Sequence, residues 1–101
     1  MKLCKNLRLG ENLAKRRFEV TWKLKHNMSA GNIWVILLPK TGPNLMEICY
    51  YEELRKNKQY DRVILAISES KSEAIEIVKV MVEDMYKNSA SFDVKAYVGY
   101  K

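Results

Sequence analysis

Two runs in this 101-residue chain, residues 33–38 and 63–67, are apolar at every position. Neither alternates, so each reads as a strand in the middle of a sheet, covered on at least one side by helices. Both are far too short to span a bilayer or to form a signal-peptide core. A chain with two such strands has to supply helical faces to cover them. The best-defined helix follows the second run. Ser70, Lys71, Ser72 and Glu73 match a capping box, in which the serine oxygen and the glutamate carboxylate take up free amides at a helix start. Ala74, Ile77, Val78, Met81 and Met85 then fall on one face, widened by Ile75, Val82 and Tyr86, with Glu73, Glu76, Lys79, Glu83, Asp84 and Lys87 opposite.

Residues 17–25 alternate. Phe18, Val20, Trp22 and Leu24 interleave with Arg17, Glu19, Thr21, Lys23 and Lys25, the period of a strand with one buried face. Phe92, Val94, Ala96 and Val98 repeat that pattern and predict a closing edge strand with Tyr97 and Tyr100 at least partly exposed. Residues 44–56 are read as a helix, because Pro43 suits a first turn and the acidic-to-basic run at 52–56 favours helix. A strand paired with residues 33–38 is the competing reading there. Residues 1–16 stay open between a basic arm, a short helix and an extra edge strand. The predicted fold is a single α+β domain over residues 1–101. It is a two-layer sandwich of order β-β-α-β-α-β, with a mixed sheet of about four strands and two helices on one face.

Charge is distributed unevenly. Residues 1–26 carry eight basic side chains against two acidic, a net of +6, while residues 27–101 carry ten of each. An electropositive surface attached to a neutral body favours contact with nucleic acid, acidic protein or anionic lipid. In the strand reading Arg17, Lys23 and Lys25 project together into solvent, joined by Lys15 and Arg16, as a stripe able to follow a phosphate backbone. Lysines on an exposed edge strand also block unwanted pairing, which is the structural alternative. By the same parity Trp22 faces the core, which counts against base stacking.

Catalytic signatures are lacking. The chain has one histidine, His26, with no nucleophile at a recognisable spacing, and Cys49 sits in an apolar context. Glu52 and Glu53 are adjacent and diverge on a helix, so they do not form an acid–base pair. No clustered ligands point to a metal, and no cofactor motif is present. Lys40 and Thr41, following a central strand, form a candidate anion site, strengthened if both central strands are parallel and open on one sheet edge. Cys4 and Cys49 lie 45 residues apart without a disulfide framework, which predicts a cytoplasmic protein. Glu11 and the strand pattern from Arg17 argue against a transit peptide. The expected function is a non-enzymatic binding protein that docks its basic N-terminal surface on nucleic acid or a nucleoprotein. The alternative is a phage- or mobile-element-type regulator or inhibitor that meets an acidic face of a host protein.

Overall fold

The computed structural model describes residues 1–39 and 46–89. In chain order these form β1 (Lys2–Leu9), α1 (Glu11–Ala14), α2 (Arg17–Lys25), β2 (Trp34–Leu37), β3 (Glu47–Tyr50), α3 (Tyr51–Lys56), β4 (Val63–Ser68) and α4 (Lys71–Ser89). The four strands make one sheet in the order β1-β4-β2-β3. β1 runs parallel to β4, whereas β2 is antiparallel to both β4 and β3, so the sheet is mixed and the fold is α+β as expected. The two wholly apolar runs are the inner strands, β2 and β4.

The layering is fuller than a two-layer sandwich. Val35 and Leu37 of β2 and Ile64 and Ile67 of β4 pack with Leu13 of α1, Val20 and Leu24 of α2, and Tyr51 and Leu54 of α3. Ile36, Val63, Leu65 and Ala66 pack instead with Ala74, Met81 and Met85 of α4. Helices therefore cover both faces, which is what strands apolar on both faces require. Leu65 and Ala66 share a face although they are neighbours. The register with β2 slips there, Ile36 lying opposite Ala66 and Leu37 opposite Ile64, and the slip resets the alternation.

Two segments differ from the sequence expectation. Residues 17–25 are helix α2, not a strand. Apolar residues two apart fit a strand with one buried face, yet in a helix they split into two stripes about 200° apart. Val20 and Leu24 take the inner stripe, 2% and 0% exposed, while Phe18 and Trp22 take the outer, 90% and 54% exposed. Glu19 and Lys23 pair across one turn at 3.1 Å. Beside the inner strand β4 no place is open to 17–25. β1 occupies one edge of β4 and β2 the other, and β1 is tied in at its ends by Lys2 N–H to Arg62 O at 3.2 Å and Gly10 N–H to Ile67 O at 2.8 Å.

Residues 1–16 accordingly resolve into an outer strand of the described sheet and one helical turn. Of the segment 44–56 the described residues, 46–56, divide: β3 pairs antiparallel with β2, and only from Tyr51 does the chain become helical. Gly10 marks the corner after β1, where the Glu73 carboxylate lies on the spot a Cβ would occupy. The closing strand expected at 92–98, with Tyr97 and Tyr100, lies outside the described residues.

α4 begins with the expected serine cap, and the glutamate reaches back one residue beyond the amide a capping box assigns it. The Glu73 N–H donates to Ser70 Oγ at 3.1 Å, and Glu73 Oε1 accepts from the Glu69 N–H at 3.0 Å. Its buried face is narrower than expected. Ala74, Met81 and Met85 are buried and Ile77, Val78 and Val82 half-buried, but Ile75 and Tyr86 are exposed.

Candidate nucleic-acid interface

α1 and α2 form a bent helical pair against the β1 side of the sheet, anchored by Leu13, Val20 and Leu24. The bend carries the charge. Lys15 is the C-cap of α1 and Arg16 the N-cap of α2, followed at once by Arg17, and all three are exposed. Arg16 supplies no side-chain cap. Positive side chains at a helix N-terminus oppose the helix dipole, each at about 0.3–1 kcal/mol on a surface. Among the described residues Lys15, Arg16, Arg17 and Lys25 form no ion pair; Glu19 in the first turn of α2 offsets Arg16 in part, and Lys25 sits in the last turn, where a cation suits the dipole. Lys23 differs, being half-buried and committed to Glu19, and it holds that carboxyl below its usual range. Of the five basic residues singled out from sequence, four are exposed, three at the bend and Lys25 at the far end of α2, and Lys23 is partly neutralised.

The helix also moves the aromatics. At about 100° per residue, Phe18, Trp22 and Lys25 point within about 60° of one another, away from the buried stripe. The His26 ring leans on Trp22, with centroids 4.6 Å apart at 46°. The result is an aromatic row along an exposed helix with cations beside it. Sequence parity assigned Trp22 to the core. The signal that it does not belong there was the second helical spacing, Phe18 to Trp22 to His26, which the strand reading passed over.

The loop after α2 is fixed from across the face by α3. The Tyr51 hydroxyl donates to Met28 O at 2.8 Å, Arg55 Nε to Asn27 O at 2.9 Å, and Glu52 Oε1 accepts from the Ala30 N–H at 3.1 Å. Asn27 takes a positive φ of 57°, a conformation asparagine tolerates better than most residues. Glu52 is thus a structural acceptor, while Glu53 lines a cleft beside β3, and both border a shallow hollow with Tyr50 and Lys56.

Burial pushes the Tyr51 phenol up to about 12, whereas an unfolded phenol titrates near 10. The folded chain keeps this proton where the unfolded chain loses it. Its stabilising contribution is therefore complete below about pH 10 and is lost as pH rises towards 12, on the order of 2–3 kcal/mol in total. Alkaline denaturation should steepen over that interval, and Tyr51→Phe should remove that part of the pH dependence. Identical alkaline profiles for the two proteins would show that the phenol is open to solvent.

The other candidate sites fare less well. Lys40 and Thr41 lie outside the described residues, and the condition that strengthened them is not met. β2 and β4 are antiparallel, so the exits of the two strands lie at opposite ends of the sheet. A cleft beside β3 is lined by Trp34, Cys49, Tyr50, Glu53 and Arg62. Burial, with Glu47 nearby, raises the Cys49 thiol above its ordinary value, which disfavours the thiolate needed of a nucleophile. His26 sits at the end of α2 and does not line that cleft. No group of three or more potential metal ligands exists among the described residues. Nor is any helix among them long and apolar enough to cross a membrane. The sequence matches no protein-family model, and comparison with curated proteins and with solved structures returns no match.

Proposed function

We propose that this chain is a small non-enzymatic binding protein that docks on nucleic acid, bare or within a nucleoprotein, through the surface of α1 and α2. The observation that carries this reading is the placement of Lys15, Arg16 and Arg17 at the uncapped N-terminal end of α2, exposed and unpaired. Cations at a helix N-terminus oppose the helix dipole, here with Glu19 of the first turn as a partial offset, and a local rule broken in this way suits a surface kept for a partner. Phosphate is the partner group that such a cluster suits, because each neutralised phosphate releases condensed counterions. The free thiols of Cys4 and Cys49 suit a cytoplasmic setting.

Salt-dependent binding to mixed-sequence oligonucleotides tests the reading. Four phosphate contacts on a single strand give a slope of log affinity against log salt of about −3. Changing Lys15, Arg17 and Lys25 together to glutamate should flatten that slope by about 0.7 per lost contact and abolish measurable binding at 100 mM salt. Changing Lys71, Lys79 and Lys87 on α4 alters net charge equally on the other face of the sheet and should leave binding within about threefold. Equal binding by both triple variants would overturn the proposal. A flat salt response with stoichiometric capture of one acidic protein would support the regulator reading instead.

A further inference from the structure

We infer that the nucleic acid taken by this surface is single-stranded, with unpaired bases stacking on Phe18 and Trp22. The inference rests on the proposed docking of nucleic acid and adds the substrate class. Lone exposed aromatics are ordinary on protein surfaces. Here two stand one helical turn apart on the outermost line of a helix, Phe18 at 90% exposure and Trp22 at 54%, and a third ring rests on the indole. Neither outer ring contributes to either core cluster, so packing gives no reason for their being aromatic.

The flanking charge identifies the occupant. Lys25 projects about 20° to the Phe18 side of the row near its C-terminal end, and Arg17 and Arg16 lie at its N-terminal end. Single-strand binders combine a cationic track for the backbone with π-faces for successive bases. A duplex hides its base faces inside the stack, so rings on a convex helix have nothing to stack on there. The four-residue spacing sets the rings about 6 Å apart along the helix axis, nearly twice the ~3.4 Å rise between stacked bases. Such a spacing suits bases drawn apart by intervening rings.

The probe is an unstructured 12-nucleotide oligothymidine, compared with a hairpin duplex carrying the same number of phosphates. The wild-type protein should prefer the oligothymidine by at least tenfold at 100 mM salt. Phe18→Ala and Trp22→Ala should each weaken oligothymidine binding by about 5- to 150-fold and leave hairpin binding within about twofold. Trp22→Phe, which keeps a π-face, should retain most of the affinity, and Trp22→Leu, which keeps only apolar area, should not. In a Trp34→Phe background, Trp22 becomes the sole indole and its fluorescence should be quenched on binding. Both rings are solvent-exposed, so circular dichroism of the alanine variants should match wild type. Full oligothymidine affinity in the alanine variants, with binding still lost in the Lys15, Arg17, Lys25 triple variant, would overturn the stacking inference while leaving the docking proposal standing. Retention of neither nucleic acid by wild type would sink both.

Discussion

Replacing Glu47 with alanine should destabilise the fold by about 3 kcal/mol, lowering the thermal midpoint by roughly 12–24 °C. Arg62 is 8% exposed, and its Nη2 lies 2.6 Å from Glu47 Oε2. Its other contacts are neutral: Gln59 Oε1 at 3.2 Å and Leu38 O at 3.5 Å. The Arg62 Nε is already buried without a hydrogen-bond partner. Without Glu47 the guanidinium keeps its burial and loses its counter-charge. Breaking a buried pair from one side costs more than deleting the pair. Glu47 keeps a third of its side chain in water, which sets the expected cost at the lower end of the 3–5 kcal/mol range for buried pairs. The double variant Glu47→Ala, Arg62→Leu should recover most of the loss, since no stranded charge remains. A cost below about 1 kcal/mol for Glu47→Ala, measured by urea unfolding, would show that the guanidinium reaches water.

Met81→Ala should cost about 2–5 kcal/mol. Met81 is fully buried where α4 crosses the sheet, against a cluster that includes Ile36, Leu65 and Met85. Truncation removes three heavy atoms of side chain from a site hemmed by strands on one side and by the helix backbone on the other, so the cavity has little room to collapse. Ile77→Ala should cost less, because Ile77 is only half-buried, and Ile75→Ala should stay within about 0.5 kcal/mol. The order Met81, Ile77, Ile75 is the test. Equal losses at all three positions would mean that α4 presents a different face to the sheet.

The inner strands and the long helix were legible because their signals are local and have a single solution. A five- or six-residue run with no polar member has nowhere to go but the interior, and residues 33–38 and 63–67 supply β2 and β4. At Ser70 and Glu73 the hydrogen-bonding groups and the helix they start lie within four residues, so their meaning does not depend on the rest of the chain. The charge partition was equally plain, since it needs only counting along the chain.

The candidate surface was half legible. Lys15, Arg16, Arg17 and Lys25 were recognised as one cluster, but the aromatic row beside them was not. Alternation over 18, 20, 22 and 24 satisfies a strand with one apolar face and a helix with two opposed apolar stripes equally well. Nothing within residues 17–25 chooses between these. The choice was made by tertiary packing: β1 and β2 took both sides of β4, and Val20 and Leu24 packed as a helical stripe into the core on one sheet face. Freed from the sheet, the segment buried Val20 and Leu24 and turned Phe18 and Trp22 outward. The antiparallel pairing of β2 with β4, which separated the two strand exits, was likewise set by long-range backbone partners that carry no side-chain signature. Composition and local pattern determined which residues had to be buried together and where charge would gather. Which face each ring of α2 presents was decided only by tertiary packing, because the strand or helix outcome of such a pattern is set by the surfaces the whole fold offers rather than by the segment itself.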